Sequence, residues 1–181
     1  APMPHTYIAL FRGINVSGQK IILMKDLKTL FEKSGFGSVS TYIQSGNVLF
    51  TAPAADGLAV AIETAVKKKY GFHAEVIIRT PGDLKKIIAA NPFAHKEDTG
   101  KLYVCYFKSA PSKEAVQSFA QLAFNGEEFS FAKTELYLYF PDGYGKSKLN
   151  NNVIEKKLSV ISTARNWNTT NKLYELALSS E

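Results

Sequence analysis

The 181 residues are 45% hydrophobic and 21% charged, an ordinary globular composition long enough to bury a core in one large domain or two small ones. No apolar run approaches the ~20 residues of a membrane span. Cys105, the single cysteine, leaves no internal disulfide and no cysteine-based metal cluster. Residues 1–5 show no basic stretch leading into an apolar core, so a cytoplasmic protein is expected, with no membrane partner. The net charge of +6 sits almost wholly on lysine, the arginines being Arg12, Arg79 and Arg165. Dispersed lysine keeps a surface solvated and draws polyanions weakly.

Tyr7–Phe11 is apolar on both faces and reads as a central strand. The loop Arg12–Gly18 follows, holding two glycines, an arginine and an asparagine between a strand and a helix. Such a loop can bring backbone N–H groups and a fixed positive charge to one point. Met24, Leu27, Leu30 and Phe31 recur at helical spacing, and Gly35 is placed to end that helix in a left-handed cap. Val39–Ile43 and Val48–Thr51, split by Gln44–Asn47, predict a hairpin. Asp56 is the expected N-cap of a second helix through Leu58, Ile62, Val66 and Tyr70, whose lysines at 67–69 suit its C-terminal end. Gly71 closes that helix and Ala74–Arg79 is a fourth strand.

The order β-α-β-β-α-β is that of a ferredoxin-like plait, an antiparallel sheet of strand order 4-1-3-2 with both helices on one face. In that topology the loop after strand one and the hairpin after strand two lie at the same end of the sheet. Arg12–Gly18 and Gln44–Asn47 are therefore expected to be neighbours.

Thr80-Pro81-Gly82-Asp83 predicts a helix start, and Pro92 predicts its end. The domain division is expected as 1–80, a connecting segment 81–100, and 101–181. The second part repeats the order. Leu102–Lys108 is a strand, Ser112 opens a helix, Glu127–Ala132 and Glu135–Phe140 form a hairpin, and Val153–Leu158 is a helix. A last strand is expected at Ser159–Thr163 or not at all, followed by a helix from Asn166 to Leu178. The fold class is α+β, two tandem ferredoxin-like subdomains with an added C-terminal helix.

Gly143–Lys148 lacks the glycine spacing of a phosphate-binding P-loop, since Phe140 stands where the first glycine belongs. It can still form either a plain turn or an anion nest beside Lys146 and Lys148. An RNA recognition motif shares the element order, but Ser45 and Asn47 stand where its stacking aromatics belong. His5, His73 and His95 show no metal-ligand spacing, and no metal or cofactor is expected. Cys105, mid-strand, reads as a buried inert thiol. Neither a serine elbow nor an acid/base pair stands out, so no catalytic residue is assigned. Thr163–Thr170 gathers Arg165, Asn166, Trp167 and Asn168 at a helix start, either as an elaborate cap or as one wall of a polar site.

Phe11-Arg12-Gly13-Ile14-Asn15-Val16 with Gly18, Thr41–Val48, Asn91-Pro92-Phe93, Ser147-Lys148-Leu149 and Thr163–Thr169 occur in that order along the chain. In these blocks the chain resembles the bacterial domain-of-unknown-function family numbered sixteen ninety-seven. The resemblance implies a bacterial protein of two ferredoxin-like subdomains, and no activity. The residues themselves point to a polar cleft between the subdomains, lined by Arg12, Gly13, Asn15, Gly18, Ser45, Asn47, Arg165, Asn166 and Asn168, with Lys148 a weaker member. Its expected occupant is an anionic, phosphate-bearing small molecule. The competing readings are an enzyme acting on a phosphorylated or nucleotide substrate, a nonspecific nucleic-acid binder, and a structural or partner-binding protein. Oligomeric state and ligand identity are open at this level.

Overall fold

A computed structural model describes residues 4–124 and 126–179. The chain falls into two compact units, one running to Lys85 and taken up again from Lys172, the other Lys86–Asn171. The division falls inside two helices, α3 (Pro81–Ala89) and α6 (Trp167–Ser179). Among the described residues the fold is α+β, with two four-stranded antiparallel sheets and six helices.

The first unit runs β1 (His5–Phe11), α1 (Met24–Lys33), β2 (Gly37–Tyr42), β3 (Asn47–Ala52), α2 (Leu58–Tyr70) and β4 (Val76–Arg79). Its strand order is β2-β3-β1-β4, the expected 4-1-3-2 seen from the other edge. β1 is central and buried from Thr6 to Phe11, as a strand apolar on both faces must be. Tyr7, Ala9 and Phe11 share one face and meet Leu27 and Phe31 of α1 and Leu58, Ile62 and Val66 of α2, so both helices cover that face. The ring of Phe31 meets that of Phe50 edge-on at 5.2 Å.

Local chemistry sets the helix ends. Gly35 takes a φ of +95° just beyond α1, and Gly71 takes +81° at the end of α2, bonding its N–H to the Lys67 carbonyl. Lys67 Nζ in turn donates to the Gly71 carbonyl, so part of the lysine run serves its own helix end. Asp56 is not the N-cap of α2. Gly57 holds that position with a φ of +73° and no side-chain cap, because a left-handed entry suits glycine. At α3 the capping box forms as written, with Asp83 N–H donating to Thr80 Oγ1 and Thr80 N–H to Asp83 Oδ2.

The second unit holds β5 (Leu102–Phe107), α4 (Lys113–Ala120), β6 (Glu128–Phe131), β7 (Glu135–Tyr139), α5 (Asn151–Leu158) and β8 (Ser162–Asn166), in the order β6-β7-β5-β8. Phe119 of α4 and Ile154 and Leu158 of α5 pack on Cys105, Phe107, Leu136 and Leu138. Ser112 and Asn150 cap the two helices through the N–H groups of Ala115 and Val153. The last strand exists, shifted from the expected place. Ser159 ends α5 with a left-handed φ of +53°, and β8 then pairs along β5 from Ser162↔Phe107 to Asn166↔Tyr103. No helix among the described residues is long and apolar enough to cross a membrane.

Candidate functional site

The loop after β1 and the turn between β2 and β3 are indeed neighbours. Phe11 N–H donates to the Gly46 carbonyl at 2.9 Å, and Arg12 N–H to the Glu75 carbonyl at 3.0 Å. Asn15 is the centre of the arrangement. Its Nδ2 donates to the carbonyls of Ile22 (3.0 Å) and Gln44 (2.8 Å), and its Oδ1 accepts from Ile22 N–H (2.8 Å). One amide side chain thus ties the outgoing loop, its return and the hairpin turn. Asn47 is fully buried and donates to the Tyr42 carbonyl and to Ser45 Oγ, closing the turn from within. Gly13 and Gly18 both take a φ of +72° in open space. Arg12, Gly13, Asn15, Gly18, Ser45 and Asn47 therefore gather at one end of the first sheet, and both asparagines bond backbone carbonyls there.

The later block behaves alike. Arg165 lies on β8, 5% exposed, and its guanidinium donates to Thr163 Oγ1 (2.7 Å) and to the Ala164 carbonyl (3.0 Å). Burial pulls its pKa down to about 10, which leaves it charged at neutral pH. Asn166 Oδ1 accepts from Asn168 N–H at 2.7 Å and so caps α6, while its Nδ2 donates to the Gly100 carbonyl at 3.3 Å. Thr99 Oγ1 donates to Asn168 Oδ1 at 3.4 Å. Both asparagines fasten the start of α6 to the short 3₁₀ turn Thr99–Lys101. Trp167 is buried at 6% exposure, as a core anchor is.

A different chemistry surrounds Lys148. The strand register explains it. Tyr139 of β7 pairs with Leu102 on one side and with Glu128 on the other. Lys101 and Glu127, each one residue beyond, must then flank the chain where it leaves β7 at Phe140 and Pro141. The chain turns at Gly143 (φ +90°) into a 3₁₀ turn, Tyr144–Lys146, held by the Tyr144 ring against Tyr103 (4.9 Å) and Phe140 (5.2 Å). The result is an open cleft of about 790 Å³ lined by Lys101, Lys146 and Lys148, by Glu127 and Asp142, and by Phe124 and Pro141.

Three N–H groups of this loop, those of Gly143, Lys146 and Ser147, bond the carbonyls of Phe140, Gly143 and Tyr144, while the lysine side chains bring positive charge to the cleft. Ser147 Oγ donates to Glu127 Oε1 (2.9 Å) and accepts from Leu149 N–H (2.9 Å), which fixes the segment between two lysines. Glu127 Oε2 is buried without a hydrogen-bond partner among the described residues.

Two other groups bear on chemistry. Glu63 of α2 meets His73 and Glu75 just before β4, their ligand-type atoms all within 4.8 Å of one another. His73 Nε2 lies 3.0 Å from Glu75 Oε1, and Glu63 Oε2 accepts from Val76 N–H at 2.8 Å. The His73-x-Glu75 spacing was the sequence signal for this cluster, which a search among histidines and cysteines alone passes over. Cys105 is fully buried, and burial pushes its thiol up to about 12, so it is no nucleophile at neutral pH.

Residues 4–137 match the family model described as a protein of unknown function, DUF1697. No curated protein matches the chain. Among solved structures, the conserved bacterial protein SP0830 from Streptococcus pneumoniae is similar, with a TM-score of 0.79 at 21% identity over 97% of this chain and 99% of that one. At that identity the likeness speaks to the fold.

Proposed function

From the premise that the chain belongs to the DUF1697 family, we propose that it binds an anionic, phosphate-bearing small molecule of nucleotide type, in the lysine-lined cleft of its second unit. We also infer that each unit is a ferredoxin-like plait. The observation that carries the functional reading is the convergence of Lys101, Lys146 and Lys148 on one open cleft of about 790 Å³, a volume in the usual range for small-molecule sites. Ammonium groups serve phosphate as point charges. The carboxylates of Glu127 and Asp142 share the wall, so the fit is to a ligand with an anionic end and hydrogen-bond donors elsewhere. Phe124 and Pro141 offer an apolar surface to a flat group. The role is binding: the hydroxyl between the lysines, Ser147 Oγ, is engaged by Glu127 Oε1 and the Leu149 N–H, which holds it in the turn.

A second reading has its own support. Asn15, Asn47, Asn166 and Asn168 all hydrogen-bond to groups of their own or of adjoining loops and turns, which suits a structural role for those blocks.

Thermal melting against nucleotides, phosphosugars, organic acids and short oligonucleotides separates these readings. A ligand at ~100 times its dissociation constant adds about 2.7 kcal/mol. The expected result is a shift with nucleotides in wild type that vanishes in the double variant Lys146→Ala/Lys148→Ala. A shift that survives there and vanishes in Arg12→Ala moves the ligand to the other loop. A shift confined to oligonucleotides that fades with salt assigns a nonspecific nucleic-acid binder. Cooperative melting with no shift leaves the structural reading.

A further inference from the structure

The end of the first unit that Asn15 ties together also carries exposed aliphatic side chains. Val16 is 57% exposed, Ile21 55%, Leu23 49% and Ile43 47%. Val16, Ile21 and Leu23 belong to one loop and Ile43 to the distant hairpin turn, and the hydrogen bonds of Asn15 bring the two together. A single nitrogen, Asn15 Nδ2, reaches the carbonyls of Ile22 and Gln44. Val16 follows Asn15, Ile21 and Leu23 flank Ile22, and Ile43 precedes Gln44. The intervening Ile14 and Ile22 point the other way and are buried at 1% and 2%. The loop thus anchors one set of aliphatic side chains in the core and offers another to solvent.

The backbone beneath the patch is held in uncommon conformations. Asn15, Ser17, Lys20 and Ile43 have φ values of +50° to +56° without being glycine. For Ile43, β-branched, that is a genuine outlier. Such conformations persist where the surroundings over-determine them, and they gather at sites of recognition. A patch held this rigidly is preorganised for a partner of definite shape.

Charge narrows the partner. Arg12, Lys20, Lys25 and Lys28 border the patch against Asp26 and Glu75, the Arg12 N–H donating to the Glu75 carbonyl and Lys20 Nζ to that of His73, which leaves an excess of positive charge. A basic rim disfavours a second copy of the same face and suits an acidic surface. The exposed side chains are aliphatic, not the aromatic platforms on which single-stranded bases stack. A fixed backbone is also of no use to a fluid lipid surface, and the Trp and Tyr of membrane interfaces are missing from the patch. We propose that Val16, Ile21, Leu23 and Ile43 form a docking surface for an acidic protein segment whose own aliphatic side chains are flanked by Asp or Glu.

The test is selection of a random peptide display library on the immobilised full chain, with Ile21→Glu/Ile43→Glu as the counter-target. Peptides combining Val, Ile or Leu with flanking carboxylates are expected. Synthetic versions should bind wild type at least tenfold tighter than the double variant, and more weakly as salt rises. Both replaced side chains are exposed, and an unchanged melting temperature of the variant confirms that it is folded. Asn15→Ala keeps every patch side chain and should still weaken the peptide, because it frees the loops. If the variant melts lower, Val16→Ser/Leu23→Ser takes its place in the same comparison. No enriched peptide, or enriched peptides that bind the variant equally, overturns the proposal. So does a variant-sensitive self-association in sedimentation, or variant-sensitive binding to phosphatidylserine vesicles with no peptide selected.

Discussion

The loop between β1 and α1 and the loop between β7 and α5 are built from similar residues: glycine, a basic side chain and small polar groups between a strand and a helix. The fold uses them in opposite ways. In the first, side-chain amides close on backbone carbonyls, and Asn15 alone makes three hydrogen bonds. In the second, three backbone N–H groups are taken up by the turn itself and lysine side chains line an open cleft. Hydrogen bonds made inside a loop hold the fold; charge left at its surface is available to a ligand. Mutations of the amide that ties the first loop should register as stability, and mutations of the lysines of the second as binding of the phosphate-bearing ligand.

The largest expected effect is at Gly46. Its φ is +90°, and a Cβ there would stand 2.6 Å from Ile14 Cδ1 and 2.8 Å from Phe11 Cβ. The isoleucine methyl can swing aside, but the Phe11 Cβ is fixed to the central strand. Backbone strain and overpacking together put Gly46→Ala at about 3 kcal/mol of destabilisation, read by urea unfolding. A loss under about 0.5 kcal/mol, the ordinary range of surface substitutions, would mean that the turn is free to move away from the loop. Asn15→Ala comes next. It removes the acceptor of the Ile22 N–H and two donor bonds, and leaving such groups unpaired costs about 2 kcal/mol. Asn15→Asp keeps the acceptor but sets a carboxylate oxygen against the Ile22 and Gln44 carbonyls, so it should cost at least as much as alanine.

Ser147→Ala crosses the comparison, because the Ser147 hydroxyl is a closed side-chain contact inside the second loop. It leaves Glu127 Oε1 and the Leu149 N–H without their shared hydroxyl. The expected loss is about 1 kcal/mol, together with weaker nucleotide binding as the segment between Lys146 and Lys148 loosens. Full binding with lowered stability would separate the turn from the site.

The sequence displays some of this plainly and some hardly at all. Runs apolar on both faces, Tyr7–Phe11 and Leu102–Phe107, could only be central strands, and they are. Thr80 and Asp83 announce a capping box because both partners lie within one turn. Topology alone places the Arg12 loop beside the Gln44 turn. What the residues could not convey is the direction of each hydrogen bond. An Asn-rich block reads equally well as a ligand cradle or as a set of internal ties, because the amide donates and accepts in either case. Asp56 misled for a related reason: a left-handed glycine one residue on took the cap position. The cleft was least legible. Lys101 and Lys146 are joined only through the pairing of Tyr139 with Leu102, and register at that resolution is not written in composition.

The smallest expected effect on stability tests the comparison most sharply. Lys146→Ala and Lys148→Ala remove charges that line the cleft, and an exposed charge contributes about 0–1 kcal/mol at most. The two should therefore leave urea unfolding nearly unchanged. Removing positive charge from a basic protein relieves self-repulsion, so even a slight stabilisation at low salt fits. Affinity for a phosphate-bearing ligand should fall with each substitution, and its salt dependence should flatten, since fewer ammonium groups remain to be screened. If either variant instead lost as much stability as Asn15→Ala, its lysine would be a tie of the fold like the asparagines. The contrast between a closed loop and an open one would then fail at the residue on which the binding site depends.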